Sequence, residues 1–177
     1  MKRPANYLVC LLCLLAVVRG TVTAQSPISA SVTGHITAEV ITTLAAVETS
    51  QMNFGRFSPG PQGGELILTP ESFVSVLGSV FPGSGTHNAA SFYVTGEDGM
   101  AFSITLPSTP VVLTHVSSQK TMTVSNWISI PASTPGAGVL QGGFQTVLVG
   151  ATLKVGTLND NPVGIYTGSY TITFDFY

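Results

Sequence analysis

The stretch Tyr166–Tyr177 alternates almost without exception between apolar and polar residues. Tyr170, Ile172 and Phe174 fall on one side of the alternation, and the intervening threonines fall on the other. Because successive side chains of a β-strand point to opposite faces of the sheet, this pattern predicts a strand with one face in a core and one in water. We therefore expect Tyr170, Ile172 and Phe174 to be buried in the core.

The rest of the chain is also typical of β-structure. Glycine and proline, 19 and 11 residues respectively, interrupt runs that are rich in Val, Ile, Thr, Phe and Tyr. Further strands are predicted at 28–40, 64–68, 91–95, 101–106, 111–116, 121–130 and 144–155. Frequent turns between short strands predict an all-β fold with a single immunoglobulin-like or pilin-like β-sandwich, and a β-barrel is the alternative.

Four connections are predicted from local signals. The Asp98-Gly99 step predicts a hairpin turn between strands 91–95 and 101–106. Residues 71–77 predict one helical turn, and the stretches 78–88 and 133–143 predict long loops.

The N-terminal residues have the three parts of a secretory signal peptide. Lys2 and Arg3 are basic, residues 7–18 are apolar, and small residues precede Gln25. The apolar run is shorter than the roughly 20 residues that a membrane-spanning helix needs. We expect residues 1–24 to be removed after Ala24, and the mature domain to cover 25–177. The expected location is the periplasm, the cell surface or the extracellular space.

Composition excludes some partners and some chemistry. Both cysteines lie in the predicted signal, so the mature chain is expected to form no disulfide and to offer no thiol. After cleavage, Arg56, Lys120 and Lys154 are the basic residues that remain, against eight acidic residues. This negative balance disfavours nucleic acid as a partner, and no membrane span is expected after signal removal.

Candidate sites are few. His35, His87 and His115 lie in different predicted elements and lack the short spacing of a zinc site. A Gly-x-Ser-x-Gly nucleophile motif does not occur. Residues 159–161 supply one carboxylate, and they predict a turn rather than a calcium site. We therefore predict a protein that is not an enzyme, with no catalytic residues, metal or cofactor.

Trp127 is the single tryptophan of the chain and lies within a predicted strand. Its indole is the candidate surface for stacking on a sugar ring. The alternative is a core or half-buried position, which is more common for a tryptophan on a strand.

Residues 28–40 alternate over more positions than the five or six of a usual strand. Gly34 lies in the middle, where a strand is weakened or bent. One interpretation divides the run, so that an extension over 25–33 pairs with the sheet edge of a neighbouring copy. Its apolar side chains would be Ile28, Ala30 and Val32. The other interpretation is one long, bent edge strand within a monomer, and periodicity does not choose between them.

Several segments, taken in order and spacing, resemble the bacterial Domain of Unknown Function 4402 family over essentially the whole mature length. The resembling segments are Met52–Gly55, Gly63–Pro70, Ser91–Gly96, Phe102–Pro107, Val149–Val155 and Gly164–Ile172. The family has no established activity, so this resemblance implies architecture rather than function.

A looser resemblance is to the spore coat protein U domain, which forms subunits of archaic chaperone–usher pili. It rests on Phe54-Gly55 and on the Gly-x-Tyr-Thr-x-x-Tyr pattern that begins at Gly164. This resemblance implies an incomplete sandwich that a neighbour's N-terminal segment completes, with a periplasmic chaperone and an usher as partners. The chain departs from those subunits because it lacks their mature cysteines.

The expected function is that of an exported, non-enzymatic structural or adhesive surface protein. Its specific form would be a pilus-like or fimbria-like subunit that assembles with copies of itself or related subunits by strand addition. The alternative is a secreted β-sandwich module that binds a carbohydrate or another ligand.

Overall fold

The computed structural model describes residues 28–40 and 43–176, which contain strands and no helix. The predicted signal peptide lies outside the described residues. The chain divides into two units, Met1–Glu39 and Val40–Tyr177. All strands lie in the second unit: β1 Ala45–Ser50, β2 Phe57–Leu68, β3 Val74–Pro82, β4 Ala90–Thr95, β5 Ala101–Thr105, β6 Val111–His115, β7 Thr121–Ile130, β8 Gly138–Val139, β9 Phe144–Val155, β10 Tyr166–Thr167 and β11 Thr173–Phe176.

The strands form two antiparallel sheets. The larger sheet has the order β1-β4-β9-β7-β6-β10, and β2 joins it beside β9 and carries β3 on its far edge. The smaller sheet has the order β11-β5-β8. The sheets curl into a half-barrel, and the predicted all-β class is confirmed. Both predicted architectures, sandwich and barrel, are consistent with this arrangement.

Strand β9 is the centre of the larger sheet. One side of β9 pairs with β7, whereas the other side pairs first with β4 and then with β2. Gly150 lies where the second partner changes. A Cβ there would lie 2.3 Å from the backbone oxygen of Leu68, so a larger side chain would push β2 away.

Two hydrophobic clusters form the core. The first lies on the β2, β3, β7 and β9 part of the larger sheet and has these buried members: Leu66, Val80, Met122, Val124, Ala151, Leu153 and Val155. The second lies between the smaller sheet and the β4–β9 part of the larger sheet: Ala90, Val94, Phe102, Ile104, Leu140, Val147 and Val149. The smaller sheet thus covers the second cluster.

Three predictions of local structure are wrong. The loop predicted at 78–88 begins only after Pro82, because β3 pairs with β2 as far as that residue. Residues predicted as a helical turn at 71–77 belong largely to β3, because Val74 and Val76 pair with Leu68 and Leu66 of β2. The Asp98-Gly99 turn does not close a hairpin, since β4 and β5 belong to different sheets. The Asp98 carboxylate instead accepts a hydrogen bond of 2.7 Å from the backbone N–H of Gly142.

The predicted C-terminal strand is two short strands in different sheets. Tyr166–Thr167 pairs with β6, and Thr173–Phe176 pairs with β5. Tyr170, Ile172 and Phe174 pack against the second cluster, on the predicted face, but they are partly rather than fully buried. Phe174 lies on β11, which is an edge strand of its sheet, whereas Tyr170 and Ile172 lie in the stretch between β10 and β11.

The strand predicted at 28–40 is not formed. These residues lie in no strand, and Ile28, Val32 and Ile36 are each at least 96% exposed. Both interpretations of this segment, pairing within the monomer and pairing with a neighbouring copy, stay predictions.

Candidate functional site

A groove of about 1080 Å³ opens over the first cluster, where the smaller sheet does not reach. Its floor consists of side chains from the inner faces of β6, β7 and β9: Val111, Leu113, Met122, Val124 and Leu153. Met122, Val124 and Leu153 are buried, whereas the two β6 side chains are only partly buried. The floor is therefore apolar and lacks a complete cover.

The groove lies between two walls of irregular backbone and strand ends. One wall is formed by Gln51–Pro59 together with Ser84–Thr86, and the other by Asn161–Gly168 together with Tyr170. Arg56 is the single charged residue among the described lining residues. An apolar floor with walls of mixed polarity and a single charge suits an uncharged occupant with one apolar face.

The wall formed by Asn161–Gly168 and Tyr170 is held in place by Asn161, which is only 3% exposed. Its Oδ1 accepts a hydrogen bond of 2.5 Å from the Gly156 N–H, and its Nδ2 donates one of 2.8 Å to the Thr121 oxygen. These bonds join the loop after β9 to the start of β7. The turn at 159–161 was predicted from the sequence. The anchoring role of Asn161 was not, because only the structure shows that its amide is buried.

The carboxylate of Asp160 is occupied within the same turn. Thr157 donates to it from its hydroxyl at 2.7 Å and from its backbone N–H at 3.1 Å. These bonds hold the pKa of Asp160 below its ordinary value. The predicted turn is therefore present, and its one carboxylate stabilises the turn.

His115 supports the same wall from β6. Its Nδ1 accepts a hydrogen bond of 3.0 Å from the Ser117 N–H, so its Nε2 carries the proton that bonds the Val163 oxygen at 3.1 Å. Within the described part of the chain, no three His, Cys, Asp or Glu side chains are grouped as metal ligands would be. His115 therefore has a structural role in this site.

Trp127 lies at the junction of the groove and the two clusters. The pairing of β7 with β9 is interrupted between Ser125 and Ile128, and Asn126 adopts a φ of 52°, as in a β-bulge. The indole is half-buried and packs on Tyr170 with ring centroids 4.7 Å apart. The predicted sugar-stacking residue thus lines the groove, but Tyr170 already contacts its ring.

Two polar atoms at this junction lack partners. The Trp127 Nε1 and the Tyr170 hydroxyl are buried and make no hydrogen bond with any described residue. Burial, with a smaller effect of the Glu48 charge, raises the pKa of Tyr170 to about 12. An unpaired buried polar group is costly, so these atoms mark a place where an added acceptor would stabilise the protein.

We expect the Tyr170→Phe variant to lose less stability than the natural protein as the pH rises above about 10. Because the folded-state pKa of Tyr170 is about 12 and the unfolded value is about 10, ionisation favours the unfolded state. The free energy of unfolding is therefore independent of this group below about pH 10 and falls as the pH rises from about 10 to about 12. Urea midpoints between pH 8 and pH 12 should therefore fall less in the variant than in the natural protein.

At pH 8 the same variant should be as stable as the natural protein or slightly more stable, because the hydroxyl has no partner to lose. Tyr93→Phe is the matched control, since the Tyr93 ring is exposed and stacks on Phe144. Identical alkaline slopes for both variants would contradict the buried position of the Tyr170 hydroxyl.

The wall segment 168–172 has an unusual backbone. It lies between two paired strands, and Tyr170 and Ile172 point to the core while Ser169 and Thr171 are exposed. Within the described ranges 28–40 and 43–176, none of its residues belongs to a strand or to a ladder pair. The segment therefore has the alternation of a strand but no ladder partner.

Residues 44–176 match the family described as Domain of unknown function (DUF4402). The chain belongs to this family. No curated protein and no solved structure matches the chain. The resemblance to the spore coat protein U domain is unconfirmed and stays a prediction.

The segment 28–40 precedes the DUF4402 match. It keeps the predicted alternation, with Ile28, Ala30 and Val32 all exposed. Among the described residues, no helix has the length and apolarity to cross a bilayer. The DUF4402 domain of this chain thus has a partly uncovered groove and is preceded by an exposed apolar segment.

Proposed function

We propose that this protein is an exported, non-enzymatic structural or adhesive surface protein whose copies assemble by strand addition. In this function, the segment around Ile28–Val32 of one copy pairs with a sheet edge of the next copy. A periplasmic chaperone would protect the segment and the edge before assembly, and an usher would export the subunits. Export itself rests on the predicted signal peptide.

The observation that carries the proposal is the exposure of an alternating segment. Ile28 is fully exposed and Val32 is 96% exposed, although both belong to a pattern that buries one face when paired. Exposed apolar side chains at every second position are costly to leave in water. Pairing with another copy removes them from water and satisfies the backbone of the segment.

Deletion of residues 25–33 should abolish self-association of the mature protein. The shortened chain should remain folded by circular dichroism, because residues 28–33, the described part of the deleted segment, belong to no strand of the DUF4402 domain. Size-exclusion chromatography with light scattering and electron microscopy would measure the change in assembly. A full-length mature protein that stays monomeric at high concentration, without or with a chaperone, would contradict the proposal.

A matched pair of variants tests whether the apolar face of the segment makes the contact between copies. Ile28→Asp with Val32→Asp places two charges on the apolar face and should reduce assembly strongly. Ser29→Asp with Thr33→Asp places the same charges on the polar face and should reduce it little. Equal loss of assembly in both variants would indicate an effect of charge rather than of strand pairing.

A second candidate function is a secreted module that binds a carbohydrate or another uncharged ligand. The groove favours it, since the lining includes the rings of Trp127, Tyr166 and Tyr170. Glycan-array binding by the chain lacking residues 25–33 would measure this function directly. Binding that Trp127→Ala removes, together with no assembly of the full-length chain, would favour the module.

A further inference from the structure

We infer that the outer edge of β3 is a contact surface for a second copy of this protein. In this contact the two β3 strands run antiparallel, and Ser75 of one copy lies opposite Ser75 of the other. The contact goes beyond the assembly proposed above, because it involves neither residues 28–33 nor the groove.

The outer edge of β3 has no ladder partner in the part of the chain that the structure describes. β3 pairs with β2 on one side only. Such an edge presents N–H and C=O groups that can pair with another chain. The regular part of this edge ends at Gly78, where φ is 80° and beyond which the register with β2 shifts. Residues 73–77 are therefore the part of the edge that can pair.

Val74 and Val76 present the free backbone groups of this edge. The Phe73 carbonyl accepts a hydrogen bond of 2.9 Å from the Thr69 N–H, on the side of β2. Backbone groups alternate between the two sides of a strand, so those of Val74 and Val76 point to the open edge. In an antiparallel pair centred on Ser75, Val74 of each copy faces Val76 of the other, and the two exchange both N–H···O bonds.

The same register makes the side chains complementary. Phe73 and Leu77 share the outer face of the sheet and are 71% and 56% exposed. Centring the pair on Ser75 places Phe73 of each copy opposite Leu77 of the other, which removes apolar surface from water. On the inner face, Val74 and Val76 extend the first cluster towards the second copy. β3 contains no charged residue, so pairing with itself brings no like charges together.

The other free edges carry features that protect sheet edges from pairing. β1 pairs only with β4, and it carries the charge of Glu48. β11 carries Asp175, and β8 and β10 each have two residues. β3 has nine residues and no charge, so its edge is the one that favours a second copy. Because the contact is limited to 73–77, we expect a weak and reversible dimer.

Disulfide trapping tests the register. The predicted mature chain contains no cysteine, so a single introduced thiol can cross-link only to another copy. Ser75 would face its counterpart in a non-hydrogen-bonded pair, in which side chains are close enough for a disulfide. Mild oxidation of mature Ser75→Cys protein should give about ten times more dimer than Ala45→Cys, which places an exposed thiol on the free edge strand β1.

Ser75→Lys tests the contact without a cross-link. Two like charges would lie opposite each other, so the dissociation constant of the dimer should rise about tenfold in analytical ultracentrifugation. Ala45→Lys should leave it unchanged. Circular dichroism checks that both variants are folded, and the cysteine pair decides the question if Ser75→Lys is not. All variants are made in the mature Ile28→Asp, Val32→Asp chain, so that strand addition through residues 28–33 does not contribute.

Three results would overturn the inference. The first is a parent chain that stays monomeric at every concentration, and the second is equal behaviour of the Ser75 and Ala45 variants. The third uses the natural N-terminal segment: Ser75→Cys that cross-links to Ser31→Cys rather than to itself would show that residues 28–33 occupy this edge. Only the last of these would support the assembly proposed above, so the two proposals fail separately.

Discussion

Phe102→Ala is expected to leave little soluble protein. Phe102 is fully buried in the second cluster, and its ring packs edge-on to Phe174 with centroids 6.1 Å apart. It also covers Gly138 so closely that a Cβ there would lie 2.4 Å from the ring. Truncation of a buried phenylalanine costs about 3–5 kcal/mol, out of the roughly 5–15 kcal/mol that stabilise a typical domain.

Thermal melting of the purified variant should show a fall in Tm of roughly 10 °C. Thr105→Ala is the matched control on the same strand, because that side chain is exposed, and its Tm should change by only a few degrees. Phe174→Ala should have a smaller effect than Phe102→Ala, since Phe174 is only partly buried. Similar melting temperatures for Phe102→Ala and Thr105→Ala would contradict the position of the second cluster.

Asn161→Ala should lower the free energy of unfolding by about 1–3 kcal/mol, because it leaves the Gly156 N–H and the Thr121 oxygen without their partner. The loss would be accompanied by a looser wall of the groove. Urea denaturation measures the first effect, and hydrogen exchange of the Gly156 amide measures the second, with faster exchange expected.

Asn159→Ala is the appropriate control for this change. Asn159 is an exposed member of the same turn and makes no side-chain hydrogen bond within the described structure. Its replacement should change the unfolding free energy by less than about 0.5 kcal/mol. If Asn159→Ala and Asn161→Ala were equally mild, the amide of Asn161 would not hold the loop to β7.

The strands that were predicted well are those whose own residues determine them. The alternation of Val147, Val149, Ala151, Leu153 and Val155 predicted β9, because the β-strand is the regular structure in which every second side chain lies on the same face. Elements that depend on a distant partner were missed. β1 has no alternation, and its strand exists because Ala45–Ser50 pairs with β4.

The same distinction applies to the C-terminal stretch and to the groove. Alternation predicted the inward face of Tyr170, Ile172 and Phe174, but it contains no information on which sheet each half would join. The groove was not predicted, since its floor and its walls come from distant parts of the chain. The nearest signal was the inward alternation of Val111 with Leu113 and of Met122 with Val124, which predicts an apolar face without showing what covers it.

The central position of β9 has a consequence for how the domain is made. Strand β9 contributes to both clusters. Val147 and Val149 belong to the second cluster, and Ala151, Leu153 and Val155 belong to the first, so neither is complete without β9. Its partners β2, β4 and β7 all precede it in the chain. Because synthesis proceeds from the N-terminus, β2, β4 and β7 have unpaired edges until β9 follows. Folding of both halves then becomes one late, non-local event, and aggregation competes with it until that moment.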